Sequence, residues 1–151
     1  MERTKNMDYY YSQRYGGYKD EVIIPGPTMG EKGCLITCCS MMLSYFNNNP
    51  LYPEQLLHWL HKHNGLTSDG RLIWSKICEA AGGKLRMNTK PDSKPGEVTY
   101  GIRECKLSGQ QHFVLDHPRE SGKIIDPWDG KVKDFNSQNY TGKNMFFMGK
   151  Q

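Results

Sequence analysis

The chain is predicted to fold as an α+β domain, with helices in its first half and an antiparallel sheet in its second. Three observations carry that expectation. Apolar residues crowd the stretch "CLITCCSMMLSYF", Cys34 to Phe46, with hardly a polar interruption. Two later segments, "PEQLLHWLHKHN" and "RLIWSKICEAAGG", carry helical spacing and helix start or stop signals. After Gly83 the texture changes to short, partly alternating segments separated by turn residues.

Residues 1–32 are rich in Tyr, Gly and Pro and lack helical period. They read as a loop-rich part, with a short extended piece at Val22–Ile24. The run from Cys34 to Phe46 is too continuously apolar for a surface helix, so it reads as a central helix buried on most sides. "NNNP" stops it. Pro53 opens the next helix at a first-turn position, and Leu56, Leu57, Trp59 and Leu60 form its apolar stripe. "GLTSDG" is a turn. The third helix runs through "RLIWSKICEAA" and ends at Gly82. "KLRMN", "EVTYGIRECKL", "QHFVLDH", "GKIIDPW" and "NMFFMG" read as strands of one sheet packed on the helices. With no internal repeat and no linker, residues 1–151 form a single domain.

Bulk properties narrow the function classes. A chain of 151 residues suits one core. No apolar run reaches the roughly 20 residues of a membrane span. "MERTKNMDYYYSQ" has no apolar signal region, so the expected location is the cytoplasm, or release without a signal peptide, as from a phage particle. The net charge is +4, but the lysines are scattered and no arginine-rich helix occurs, so no nucleic-acid partner is expected. The five cysteines are an odd number and read as reduced thiols. Taken singly, Cys38, Cys39, Cys78 and Cys105 read as packing residues. No metal is expected. His58 and His61 share a helix spacing, but neither they nor His63 gain a cysteine or carboxylate pair.

A thiol nucleophile works as the thiolate, so its pKa must fall below the free value of about 8.5. A helix N-terminus favours the anion. An imidazole takes the proton, a third group orients the imidazole, and donors face the oxyanion. Each part has a candidate. Cys34 stands at the predicted helix start, behind Gly33. His112 opens the strand "QHFVLDH". Asp126 closes the strand "GKIID", and a hairpin between the two strands brings the start of one near the end of the other. Gln13 in "YSQRY" offers an amide donor. Each residue also has a plainer reading. Composition alone makes Cys34 a buried helix cysteine and His112 a strand histidine held by the core. It makes Asp126 a turn former before Pro127 and Gln13 a solvated loop residue.

Taken together and in order, "YSQRY", "MGEKGCLITCCSMMLSYF", "YPEQLLHWLHKHNG", "GRLIWSKICEAAGG", "QHFVLDH" and "GKIIDPWDG" resemble one family. It is that of the bacteriocin-processing-like (double-glycine leader peptidase-like) cysteine peptidases of the papain superfamily. The likeness is to the stand-alone branch common in bacteria and phages, and it covers about Tyr9 to Gly130.

The resemblance implies a papain-like fold, with the nucleophile helix buried against the C-terminal sheet, and a thiol hydrolase that needs no cofactor. Cys34 is then the nucleophile, His112 the general base and acid, Asp126 the orienting residue and Gln13 an oxyanion donor beside the Cys34 N–H. Gly33, Gln111 and Trp128 are expected at the substrate, with the Trp128 indole shielding the His112–Asp126 pair. The implied partner is a peptide or a peptidoglycan-like cross-peptide. The rival expectation is a non-catalytic binding or structural module of the same fold, and acyl transfer is a third. The chain departs from the family where Leu35 replaces a common second glycine, where Cys38 and Cys39 replace serine or alanine, and in the loop Gly16–Gly30. These departures bear on substrate preference.

Overall fold

The structure is a computed structural model that describes residues 7–107, 109–136 and 139–151, apart from the side chain of Leu107. The loop-rich reading of residues 1–6 lies outside the described residues. Among the described residues, four helices come first: α1 Met29–Lys32, α2 Cys34–Asn47, α3 Pro53–Lys62 and α4 Ser75–Ala80. Six strands follow: β1 Arg86–Asn88, β2 Val98–Leu107, β3 Gln110–Asp116, β4 Lys123–Asp126, β5 Lys131–Asp134 and β6 Tyr140–Gly149. They form one antiparallel sheet in the order β1-β6-β2-β3-β4-β5. The α+β class holds, with helices before strands.

Helix α2 is the centre of the molecule. Every residue from Ile36 to Phe46 is buried, so its apolar residues run all round the axis instead of forming one stripe. Leu56, Leu57 and Leu60 of α3 belong to the same core as Ile102, Leu115, Ile125 and Phe147 of the sheet. The helix ends where Asn48 takes a left-handed conformation (φ 50°) and returns its N–H to Ser44 and Tyr45 carbonyls. At the start of α3 the Gln55 side chain accepts the Tyr52 N–H at 2.8 Å, beside the first-turn proline.

The N-terminal segment is strapped along α2. The Tyr9 N–H donates to the Tyr45 hydroxyl at 3.2 Å, and the two rings meet edge-on at 5.1 Å. One turn nearer the start of α2, the Tyr11 N–H reaches Met41 Sδ at 3.3 Å. The strap therefore runs toward the N-terminal end of α2 and delivers Gln13 there.

Three local expectations are corrected. The third helix begins at Ser75, not at Arg71, because Leu72 forms a bridge with Leu66 and the Arg71 carbonyl accepts the Thr67 N–H. Residues 29–32 form a helical turn, α1, whose Glu31 accepts both the N–H and the hydroxyl of Thr28. Lys131–Asp134 is a sixth strand, the edge strand β5, paired to β4. Among the described residues no helix is long and apolar enough to cross a membrane.

Candidate active site

Cys34 is the first residue of α2 and is partly exposed. The first N–H groups of a helix have no partner inside it and form its positive end. Gly33 fixes this entry by its size. Its backbone lies so close to α1 that a Cβ there would stand 2.4 Å from the Met29 carbonyl oxygen. The Gly33 N–H donates to that oxygen at 2.9 Å. Glycine permits the close turn that places Cys34 at the rim.

His112 and Asp126 are buried, with 5% and 6% of their surface exposed. Strands β3 and β4 pair antiparallel, so the start of one meets the end of the other. The His112 Nε2–H donates to Asp126 Oδ1 at 2.7 Å, which leaves Nδ1 for a second partner. Burial disfavours the imidazolium, but hydrogen bonds to Asp126 and to Cys34 outweigh it and lift the His112 pKa to about 9. Burial likewise disfavours the Asp126 carboxylate. The donors around it prevail and hold its pKa at about 2. Those donors are His112, Lys133 Nζ at 2.7 Å and the Trp128 N–H at 2.9 Å. Asp126 thus holds the imidazole of His112, and Cys34 acts on the same ring.

Gln13 is 1% exposed and lies between the segments that carry Cys34 and Asp126. Its N–H donates to the Pro127 carbonyl at 2.6 Å, and its Nε2 to the Gly30 carbonyl at 3.3 Å. The expectation of a solvated loop residue therefore fails. Its Oε1 is buried and has no hydrogen-bond partner among the described residues.

The residues expected at the substrate separate. Gln111 lines a groove of about 690 Å³ beside Cys34, together with Leu35, Leu66, Leu72, Trp74 and Phe113. Gly33 is buried and lines no part of that groove; its contribution is the turn. The Trp128 indole is 36% exposed and lies beneath the Arg14 guanidinium, 4.4 Å from the ring centre. It lines a separate depression of about 740 Å³ with Arg14, Lys19 and Glu31. Toward the pair, Trp128 gives its backbone N–H to Asp126 Oδ1 at 2.9 Å.

Lys133 was not visible as a site residue from sequence. Besides Asp126 it binds Asp129 Oδ2 at 3.1 Å. The signal was weak because Lys133 lies on β5, which pattern reading did not separate from the turn before it. The three histidines of α3 and its end have other partners. His58 pairs with Glu21, His61 bonds the Ile23 carbonyl, and His63 stacks on Trp59 with ring centres 4.1 Å apart. Among the described residues no group of three or more His, Cys, Asp and Glu side chains is placed to hold a metal ion. All five cysteines are free. Burial raises the Cys38 and Cys39 pKa values and lifts Cys105 to about 11, which keeps these thiols protonated and inert.

Comparison of the chain with family models, curated proteins and solved structures found no match.

Proposed function

We propose that this protein is a cysteine hydrolase of papain-like architecture, a peptidase or amidase that cleaves a peptide or isopeptide bond. The single observation that carries the reading is the buried His112–Asp126 pair, with a helix-initial cysteine acting on the same imidazole. His112 takes the proton of the Cys34 thiol, and the thiolate Sγ attacks the carbonyl carbon. The Cys34 N–H and the Gln13 amide donate to the oxygen as it becomes an oxyanion. The imidazolium of His112 then gives its proton to the leaving amine, and the acyl group stays on sulfur as a thioester. Neutral His112 next draws a proton from water, whose oxygen attacks the thioester and frees the thiol. Asp126 keeps the Nε2–H oriented throughout, and Lys133 and the Trp128 N–H keep Asp126 in place. The family resemblance of the sequence motifs supports the same roles for the same residues. A bacterial or phage cell-wall cross-peptide is one substrate that fits that setting.

Alkylation by iodoacetamide, read by peptide mass spectrometry on all five cysteines, tests the reading. Cys34 is expected to react at least tenfold faster than the other four at pH 6.5, and to lose that advantage in His112→Ala. A Cys34 that reacts no faster than Cys78, or that ignores the loss of His112, overturns it.

A further inference from the structure

The groove beside Cys34 does not end at Phe113. Trp74, Gln111 and Phe113 form its far wall, and the same three residues are the near wall of a second cavity of about 500 Å³. That cavity is lined further by Thr89, Ile102, Glu104, Asn144 and Met145, and Lys143 stands at it as well. The trough thus passes from the nucleophile over an apolar saddle to a carboxylate.

Glu104 is an unusual residue to find there. It is 7% exposed, and buried carboxylates are as a rule paired with a cation. Among the described residues its hydrogen-bond partners are neutral: Gln111 Nε2 at 2.5 Å and Thr141 Oγ1 at 2.7 Å. No ion pair of the described residues includes it; Lys143 and Lys106 act on it only through space. The hydrogen bonds from Thr141 and then Gln111 favour the charged form despite burial. Gln111 adjoins His112 in the chain, so the carboxylate is linked through one side chain to the residue next to the general base. The register also places Glu104 opposite Phe113, on the strand face that lines the trough.

We propose that Glu104 is a specificity residue that receives a cationic side chain, lysine or another diamino acid, of a substrate whose apolar neighbour lies over Trp74 and Phe113. Two neutral donors fix the carboxylate and leave lone pairs open to the cavity. A substrate ammonium supplies the missing counter-charge, and the low-dielectric walls strengthen the pair. Gln111 sets the direction of the carboxylate.

This inference rests on the hydrolase reading, and the test separates the two. Two series of electrophilic peptides are used: peptidyl chloromethyl ketones, which extend N-terminally from the reactive carbon, and chloroacetyl peptides, which extend C-terminally. Each carries lysine, or norleucine as its uncharged counterpart, at one of the three nearest positions. Labelling of Cys34 is followed by intact mass, with iodoacetamide as the small-probe reference.

Wild type is expected to favour lysine over norleucine by about tenfold at one position. In Glu104→Gln that preference falls below about twofold while the iodoacetamide rate stays within about twofold of wild type. If no position of either series favours lysine in wild type, the inference is overturned and Lys143 is the counter-charge. That wild-type comparison stands even where Glu104→Gln fails to fold. A preference that survives in folded Glu104→Gln overturns it too. A Cys34 inert to iodoacetamide overturns the hydrolase reading itself, and the specificity with it.

Discussion

At the scale of single residues, the site is a chain of protons held in one order. His112 titrates near 6.5 when unfolded and near 9 in the fold, so folding favours its charged form. The stabilisation it brings is complete below about pH 6.5 and fades as pH rises through about 9. Asp126 acts with the opposite sign. Its pKa moves from 3.8 to about 2, so its contribution is complete above about pH 4 and fades as pH falls toward 2. Thermal melts are expected to show wild type losing stability between pH 6.5 and 9 and His112→Gln losing less. On the proposed mechanism, amide cleavage declines above about pH 9, where the imidazolium that would protonate the leaving amine is lost; a rate that stays flat to pH 10.5 contradicts the proposed role. Asp126→Asn keeps the shape and removes the charge. It is expected to lower cleavage by about 10²- to 10⁴-fold. Lys133→Met, which removes one of three donors to Asp126, should cost about tenfold and shift the basic limb of the pH profile. Lys133→Arg should recover most of the loss.

At the scale of elements, the entry to α2 decides whether a thiol stands at the rim at all. Gly33→Ala sets a Cβ 2.4 Å from the Met29 carbonyl oxygen, so α1 and α2 must part. The expected loss is about 1–3 kcal/mol in urea unfolding, with Cys34 alkylation slowed in the folded fraction.

Helix α2 was legible in the sequence because burial on all sides leaves an unbroken apolar run, and α3 because proline and three leucines mark its start and its face. The β3–β4 hairpin was legible from two apolar runs and the turn between them, and with it the meeting of His112 and Asp126. Helix α1 was not. A four-residue turn has no period to detect, and it is held by the Thr28–Glu31 hydrogen bonds and the contact with Gly33. Strand β5 was hidden by its lysines, one of which, Lys133, reaches the buried Asp126 carboxylate. Glu104 reads in sequence as an ordinary polar position between Arg103 and Cys105. Only the sheet register and the wall formed by Trp74 disclose that it is buried.

At the scale of the whole molecule, one core links the two halves of the site. Cys34 belongs to the helical layer, and His112 and Asp126 to the sheet, and both are positioned by the packing of α2 on β3. Phe147 is fully buried in β6 and stacks near Trp74, with ring centres 6.1 Å apart. Phe147→Ala is expected to destabilise the fold by about 3–5 kcal/mol in denaturant unfolding. It should also widen the trough under Trp74, so that norleucine probes gain on lysine probes.

The place of β6 has a consequence for how the protein is made. The last of the described strands, β6, is second in the sheet, between β1 and β2. While a ribosome is still adding residues 140–149, β1 has no partner in the sheet and β2 lacks one of its two. The helical layer, the strap and the β2–β3–β4 meander emerge earlier, but the sheet cannot close over α2 until Gly149 is free. Pairing of β1, and of the second edge of β2, therefore waits for β6.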